Sequence, residues 1–273
     1  MIIDAHVHIG RLHDSPYEAM THEEIRDALV REMKRAGVGH ALILPFFAKK
    51  PISIETSLER VLSLVYGNPQ LHAIGTIDML EYTNKDLRVL EQLIKCQSIR
   101  GIKLYPGYQH IYPTDPHCIP IYKLCEKYNA PVIFHSGDTL SMPGRSAKVK
   151  YSHPIHIDEV ATDHPKLSIV MAHLGNPWLV DAAEVLYKNP NVYADISGLV
   201  VGESLKSTYG ALMKERIEEL MAYSSPQKLL FGTDWPLISM KPYVEFAKSL
   251  KLSRQERDMI FYKNAARLFQ ISV

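Results

Sequence analysis

Five side chains of a type that binds metal lie where the sequence predicts that a strand ends. In residues 3–8, IDAHVH, His6 and His8 are two positions apart, so on a strand both imidazoles point to the same face and can hold one ion. The other three each follow an apolar run: His135 after residues 131–134, His173 after 169–172, and Asp234 after 229–233. The pattern predicts a metal site built from several strand ends.

Imidazole and carboxylate ligands together favour Zn²⁺, with Mn²⁺ or Fe²⁺ as alternatives, and the pattern offers no thiolate. The three cysteines, Cys96, Cys118 and Cys125, have no CxxC spacing and are interpreted as reduced packing residues. A catalytic metal lowers the pKa of a bound water towards ~7. Asp234 is the expected catalytic residue that takes the proton of this water and returns it to a leaving group.

The elements that must position these side chains follow a repeating βα pattern. Short apolar runs alternate with longer amphipathic stretches, as in a parallel sheet. Eight runs predict eight strands, at residues 1–8, 40–45, 71–78, 99–105, 131–136, 167–173, 191–197 and 228–234. A doubly wound open sheet usually has a glycine-rich first turn, which is absent here. We therefore predict an α/β protein, a (β/α)8 TIM barrel forming a single domain over residues 1–273.

Several helix boundaries are also marked in the sequence. Thr21 with Glu24, and Ser253 with Glu256, have the spacing of a capping box, the second pair ahead of a helix at residues 258–269. Gly37 and Asn129 stand where two of the predicted helices should end.

The overall composition excludes some partners. With 31 basic and 30 acidic side chains the net charge is +1, so no strong field attracts nucleic acid. No apolar run approaches the roughly 20 residues that cross a bilayer, and the first residues lack the layout of a signal peptide. A small-molecule substrate, no membrane and a cytoplasmic location are expected.

These residues resemble the amidohydrolase superfamily, which carries HxH on strand one, His on strands five and six and Asp on strand eight. Three stretches resemble its amidohydrolase-2 branch: residues 191–198 (NVYADISG), 231–236 (FGTDWP) and 264–269 (NAARLF). That branch is similar to aminocarboxymuconate-semialdehyde decarboxylase and several lactone hydrolases. The resemblance runs from residue 3 to residue 269 and implies a metal-dependent barrel enzyme, commonly a homo-oligomer.

The resemblance also implies roles for single residues. The first metal would be bound by His6, His8, His135 and Asp234, while His173 would bind a second metal or hold the nucleophilic water. Lys103 ends the fourth predicted strand in residues 101–106, GIKLYP, where dihydroorotase-like members carry a carboxylated lysine that bridges two metals. An unmodified ammonium beside a dication would be repelled, so Lys103 needs either CO₂ or a substrate anion. Both alternatives stay open.

Substrate contacts are expected on the loops of the catalytic face. The long irregular stretch at residues 137–153 follows the fifth predicted strand and carries Arg145 and Lys148, which could hold a carboxylate. Tyr105, just after strand four, could line the pocket. Asp195 is interpreted either as an orienting partner of a ligand histidine or as a buried structural residue, and Asp4 has the same two interpretations.

The resulting hypothesis is hydrolysis of an amide, lactone or ester of a small carboxylated substrate by metal-activated water. Non-oxidative decarboxylation of a small aromatic or unsaturated acid is the alternative. The third hypothesis is a metal-binding barrel without turnover. A metal position left open for water argues against it, because structural zinc sites are usually closed by four protein ligands.

Overall fold

Short parallel strands form the wall of a β/α barrel. The computed structural model describes residues 1–47, 56–139 and 146–273. Within them the strands are β1 (Ile3–Val7), β2 (His40–Ile43), β3 (Leu71–Ala73), β4 (Gly75–Thr76), β5 (Ile102–Leu104), β6 (Val132–Phe134), β7 (Ile169–Met171), β8 (Val192–Asp195) and β9 (Leu229–Leu230). Strands β1 to β3 pair in parallel, and so do β4 to β9.

Strands β3 and β4 together occupy one position of the barrel wall. Only Ile74 separates them, and its N–H donates to Ile43 O on one side at 2.9 Å. The next N–H, of Gly75, donates to Gly101 O on the other side at 2.8 Å. The nine segments therefore fill eight barrel positions, and each coincides with one of the eight predicted runs. The predicted (β/α)8 fold is confirmed.

The barrel is closed between its first strand and the chain that follows β9. Ala5 N–H donates to Phe231 O, and His8 N–H donates to Trp235 O, both at 2.8 Å. Between them Asp234 N–H donates to His6 O, also at 2.8 Å. Three of the predicted site residues are thus held together by the main chain alone.

Helices surround the strands, and the predicted caps are present. In the described part of the chain they are α1 (His22–Ala36), α2 (Leu58–Val65), α3 (Asn84–Lys95), α4 (Ile119–Tyr128), α5 (Ile155–Asp163), α6 (Leu179–Lys188), α7 (Thr208–Tyr223), α8 (Met240–Lys248), α9 (Arg254–Asp258) and α10 (Asn264–Leu268). Thr21 and Ser253 form capping boxes with Glu24 and Glu256. Gly37 and Asn129 end α1 and α4 in the left-handed conformation. No helix among these residues is long and apolar enough to cross a membrane.

The last helix supports the last strand. The chain runs from α9 into α10 through a π-helical turn, Met259–Lys263. A π turn releases main-chain groups from the usual i to i−4 bonding, and Ile260 O here accepts the N–H of Phe231 at 2.9 Å. Asn264 Nδ2 donates to Leu229 O at 2.8 Å. The predicted helix at 258–269 is confirmed in position, with an earlier start and this irregular turn.

Two apolar clusters lie on the two sides of the barrel wall. The larger one fills the space between strands and helices. The smaller one contains Ile3, Leu42, Ile133 and Val170 from the strands and is joined by Phe269 from the C-terminal segment. The site residues at the strand ends therefore stand on a packed interior.

We expect Ile133→Ala to destabilise the fold without touching the site, because it leaves a cavity inside the barrel. Ile133 is 1% exposed, so the free energy of unfolding should fall by about 2–5 kcal/mol. Urea denaturation followed by circular dichroism measures the change. The control Val180→Ala, at a side chain 84% exposed, should stay within about 0.5 kcal/mol of the parent. Equal losses in the two variants would contradict the packing described here.

Candidate metal centre

Two imidazoles and one carboxylate converge where the barrel closes. His8 Nε2 lies 3.3 Å from Asp234 Oδ1, and His6 Nε2 lies 3.7 Å from the same oxygen. All three residues are buried. Asp234 reaches this place in a left-handed conformation, with φ 68°, directly after Thr233. The predicted HxH pair and the strand-eight aspartate are therefore side by side.

Each of these two imidazoles has its other nitrogen bonded to an oxygen that can only accept. His6 Nδ1 donates to Asp195 Oδ2, and His8 Nδ1 donates to Leu44 O, both at 2.9 Å. Because Nδ1 carries the proton, Nε2 carries a lone pair in both neutral rings. Two lone pairs and a carboxylate oxygen then face one another, an arrangement that repels unless a cation lies between them.

The spacing of these atoms fits a metal ion. Two bonds of about 2.0–2.1 Å at a tetrahedral angle separate the ligand atoms by about 3.4 Å. The observed separations from Asp234 Oδ1, 3.3 and 3.7 Å, bracket that value. The donor set of two nitrogens and one oxygen also matches zinc.

The protonation states favour metal binding. Burial, and then the positive charge of Lys103, lower the pKa of His6 to about 3 against the opposing effect of Asp195. Burial acts to raise the pKa of Asp234, but the neighbouring His8 and His173 hold it well below its ordinary value. At neutral pH the imidazole is neutral and the carboxylate is ionised, which are the forms that bind metals.

His173 and His135 extend the cluster. The ring of His173 lies 4.7 Å from that of His6 and 5.2 Å from that of His135, centroid to centroid. His173 Nδ1 lies 3.1 Å from Ser197 O and 3.0 Å from Ser197 Oγ, whose own proton is donated to Asp195 Oδ1. Both oxygens therefore accept from Nδ1, and the lone pair of His173 is on Nε2. His135 differs, because its Nε2 lies 2.9 Å from Asp138 O and its lone pair is therefore on Nδ1. Burial and the charge of His173 keep the pKa of His135 well below its ordinary value.

The structure does not bring the predicted ligands equally close together. Among the described residues near the barrel closure, two triplets have ligand atoms within 4.8 Å of one another: His6, His8 and Asp234, and His6, His173 and Asp195. His135 belongs to neither. Its role as a metal ligand stays a prediction, as does that of His173.

Lys103 projects from β5 into the same region. It is 1% exposed, and its Nζ lies 5.3 Å from the centre of the Tyr105 ring. Its positive charge contributes to lowering the pKa of both His6 and His135. Whether Lys103 binds metal as a carbamate stays a prediction.

The residues predicted to contact substrate do not belong to the cluster of candidate metal ligands. The ring of Tyr105 lies nearly parallel to that of His135, with the ring centroids 6.5 Å apart. Its hydroxyl donates to Pro45 O at 2.7 Å, so the ring rather than the hydroxyl is the part of Tyr105 that could meet a substrate. Lys148 is exposed, and its N–H donates to Gly107 O at 2.9 Å. Arg145 lies outside the described residues. The long loop is described at 137–139 and 146–153, where it includes a short 3-10 turn, Val149–Tyr151.

Several contributing groups were missed from the sequence. The carbonyls of Leu44, Asp138 and Ser197 orient three imidazoles, and a carbonyl leaves no residue-type signal. Gly198 was also missed. A Cβ there would lie 2.8 Å from His173 Nδ1 and 3.3 Å from Asp234 Oδ2, and its φ is +71°. Its position three residues after the aspartate that ends β8 was the one available signal, since glycine often marks a close approach.

The fold and the site together define a TIM barrel with a candidate metal centre at its closure. The family model described as Amidohydrolase matches residues 3–271, and the chain belongs to this family, in its amidohydrolase-2 branch. The expected homo-oligomer and cellular location stay predictions.

Individual relatives are distant. An uncharacterized TIM-barrel protein from Bordetella bronchiseptica has a TM-score of 0.74 and 23% identity, with 98% of each chain covered. An amidohydrolase from Burkholderia multivorans, solved with zinc bound, has a TM-score of 0.70 and 16% identity, with 100% of each chain covered. A gamma-resorcylate decarboxylase from Rhodococcus jostii is 21% identical over 192 residues, which are 60% of this chain and 57% of that protein. The chain thus matches little more than half of that relative.

We predict that the protein binds one zinc ion per chain and that Lys103 stays unmodified. The reason is that the second triplet includes Asp195, whose Oδ2 already accepts from His6 Nδ1 and whose Oδ1 already accepts three hydrogen bonds. Native mass spectrometry of zinc-loaded protein, with and without bicarbonate, measures both quantities. His8→Gln should lose the ion, whereas His40→Gln, in a ring pair elsewhere with His72, should keep it. Two zinc ions with one additional carboxyl group on Lys103 would contradict the prediction.

Proposed function

We propose that this protein is a hydrolase that uses metal-activated water to cleave an amide, lactone or ester of a small carboxylated substrate. The observation that carries this proposal is the convergence of His6 Nε2, His8 Nε2 and Asp234 Oδ1. His135 is proposed as a further ligand, through its Nδ1. We propose Zn²⁺ as the ion because the ligands are nitrogen and oxygen without thiolate, and Mn²⁺ or Fe²⁺ could replace it.

When bound, the cation supplies Lewis acidity, which polarises a substrate carbonyl and makes a water more acidic. Asp234 accepts a proton from the attacking water, because its carboxylate is ionised at neutral pH and buried beside the ligands. The protonated Asp234 carboxyl group then donates this proton to the leaving group. Gly198 leaves space beside Asp234 Oδ2 for these movements.

His173 is proposed to orient the attacking water. Its Nδ1 is bound to Ser197 O, so Nε2 is the nitrogen left to accept a hydrogen bond. The ring is in contact with His6 on one side and His135 on the other. It is the least buried of the site imidazoles, as expected for a group that meets solvent and substrate.

The substrate is proposed to carry a carboxylate because basic side chains accompany the site. Lys103 places a buried positive charge near His6 and His135, and this charge would attract a substrate anion. Lys148, exposed on the loop above, is proposed to attract the same group, and Arg145 belongs to the same loop. Tyr105, whose ring lies nearly parallel to that of His135, is proposed to form an aromatic wall of the pocket.

We expect Asp234→Asn to reduce kcat by about 10²–10⁴-fold, because the amide cannot take a proton from water. The assay is a screen of carboxylated lactones, esters and amides with zinc-loaded protein, followed by kinetics on the best substrate. Zinc content is measured in parallel, so that lost metal is not mistaken for lost proton transfer. The control His40→Gln should keep the parent kcat. A zinc-loaded Asp234→Asn variant with full activity would refute the proposed role.

Non-oxidative decarboxylation is a second candidate, favoured by the similarity to gamma-resorcylate decarboxylase. The two reactions differ in their products, since only hydrolysis incorporates an oxygen atom from water. We therefore expect ¹⁸O from labelled water to appear in the product acid, and no CO₂ to be released from gamma-resorcylate. Release of CO₂ from that acid, with no turnover of any lactone, ester or amide, would establish decarboxylation instead.

A further inference from the structure

The two oxygens of Asp195 serve different partners. Oδ2 accepts the Nδ1 proton of His6 at 2.9 Å. Oδ1 accepts three hydrogen bonds: from His173 N–H at 3.0 Å, from Ser197 N–H at 3.1 Å, and from the Ser197 hydroxyl. The residue is 1% exposed, so these four donors account for its surroundings without solvent.

The contact with Oδ2 decides which nitrogen of His6 carries the proton. A carboxylate oxygen can only accept, so the proton is on Nδ1 and the lone pair is on Nε2. Nε2 is the atom that lies 3.7 Å from Asp234 Oδ1. With the other tautomer, a proton on Nε2 would occupy the position that a metal needs.

The contacts with Oδ1 place His173. This residue and Leu174 both have a left-handed backbone, with φ 58° and 51°, a conformation that costs energy for residues other than glycine. Asp195 holds the His173 N–H in that arrangement. It also accepts the hydroxyl proton of Ser197, so Ser197 Oγ, 3.0 Å from His173 Nδ1, can only accept there, as does Ser197 O at 3.1 Å. These two acceptors fix the proton of His173 on Nδ1.

We propose that Asp195 is a positioning residue that sets the tautomer of His6 and the placement of His173 together, which leaves the lone pair of each ring on Nε2. The inference rests on the proposed metal site, because His6 Nε2 is a ligand only in that context. Asp195 itself touches neither the proposed ion nor substrate. It couples the ligand His6 to the water-orienting His173 through one rigid carboxylate.

Asp195→Asn tests this with almost no change in shape. Because three donors meet at Oδ1, the amide oxygen must take that position, and the amide NH₂ must face His6 Nδ1. A donor facing Nδ1 forces the proton of His6 onto Nε2. Long-range ¹H–¹⁵N correlation spectra of metal-free protein with ¹⁵N-labelled histidine distinguish the two tautomers, with the His6 and His173 signals assigned from His→Gln variants.

We expect Nδ1–H at both His6 and His173 in the wild type, and Nε2–H at His6 in Asp195→Asn. Zinc affinity, measured by chelator competition, should fall roughly 10–100-fold in this variant. Asp4→Asn is the matched control, because Asp4 is equally buried and accepts from Thr233 and the His6 main chain but touches no imidazole. It should keep the wild-type tautomers and a zinc affinity within about threefold of the wild type, well short of the loss expected for Asp195→Asn.

The tautomer spectra and the comparison of the two variants can each overturn the inference. Nε2–H at His6 or His173 in the wild type would do so alone, even if Asp195→Asn fails to fold. Unchanged tautomer and zinc affinity in a folded Asp195→Asn variant, or an equal change in Asp4→Asn, would also do so. Neither measurement uses turnover, so a failed search for hydrolysis would refute the proposed function and leave this result intact.

Discussion

Closure of the barrel between its first and last strands is the interaction on which the site depends. The hydrogen bond from Asp234 N–H to His6 O joins two proposed ligands through the main chain, and neighbouring bonds from Ala5 and His8 fix the register. A shift of one residue would turn His6 and His8 to the other face. The candidate metal site is therefore a consequence of strand register, which the packed barrel interior and the C-terminal helix maintain.

Two buried carboxylates near this closure show how neighbours decide protonation. Burial raises the pKa of Asp4 to about 7, and hydrogen bonds from Thr233 and His6 only partly offset it. Burial also acts to raise the pKa of Asp195, but the adjacent His6, with the hydrogen bond it donates, and the positive charge of Lys103 hold that pKa far below the usual range. Asp4 is thus suited to a structural role, and Asp195 to the support of charged and metal-binding groups.

Much of the architecture could be predicted from the sequence, because apolar runs and caps are local signals. The eight runs coincide with the strands, and Thr21, Ser253, Gly37 and Asn129 act as expected. The break at Ile74 was not visible, because it arises from a change of hydrogen-bonding partner. Nor was the π-helical turn at 259–263, which depends on the pairing with Phe231.

The site was partly predictable for the same reason. The ligand types sit at strand ends, and the barrel brings strand ends together. What the sequence could not show is the set of main-chain carbonyls that orient the rings, or that His135 keeps its lone pair on Nδ1 while the others keep theirs on Nε2. The carbonyls and the His135 tautomer depend on loop conformation. Whether Lys103 carries a carboxyl group is a question of chemical modification, which a residue type does not record.

The closure also has a consequence for folding. Asp4 and Thr233, which frame the site, are 229 positions apart, so the contacts that assemble it have almost the longest sequence separation this chain allows. Contacts of this kind carry the largest loop-closure entropy and form late when shorter-range structure can form first. The capacity to take up a metal should therefore appear only in the final folding step. The rate of metal uptake by a refolding chain would then report when the barrel closes, whereas the change in helix content would report earlier stages of folding.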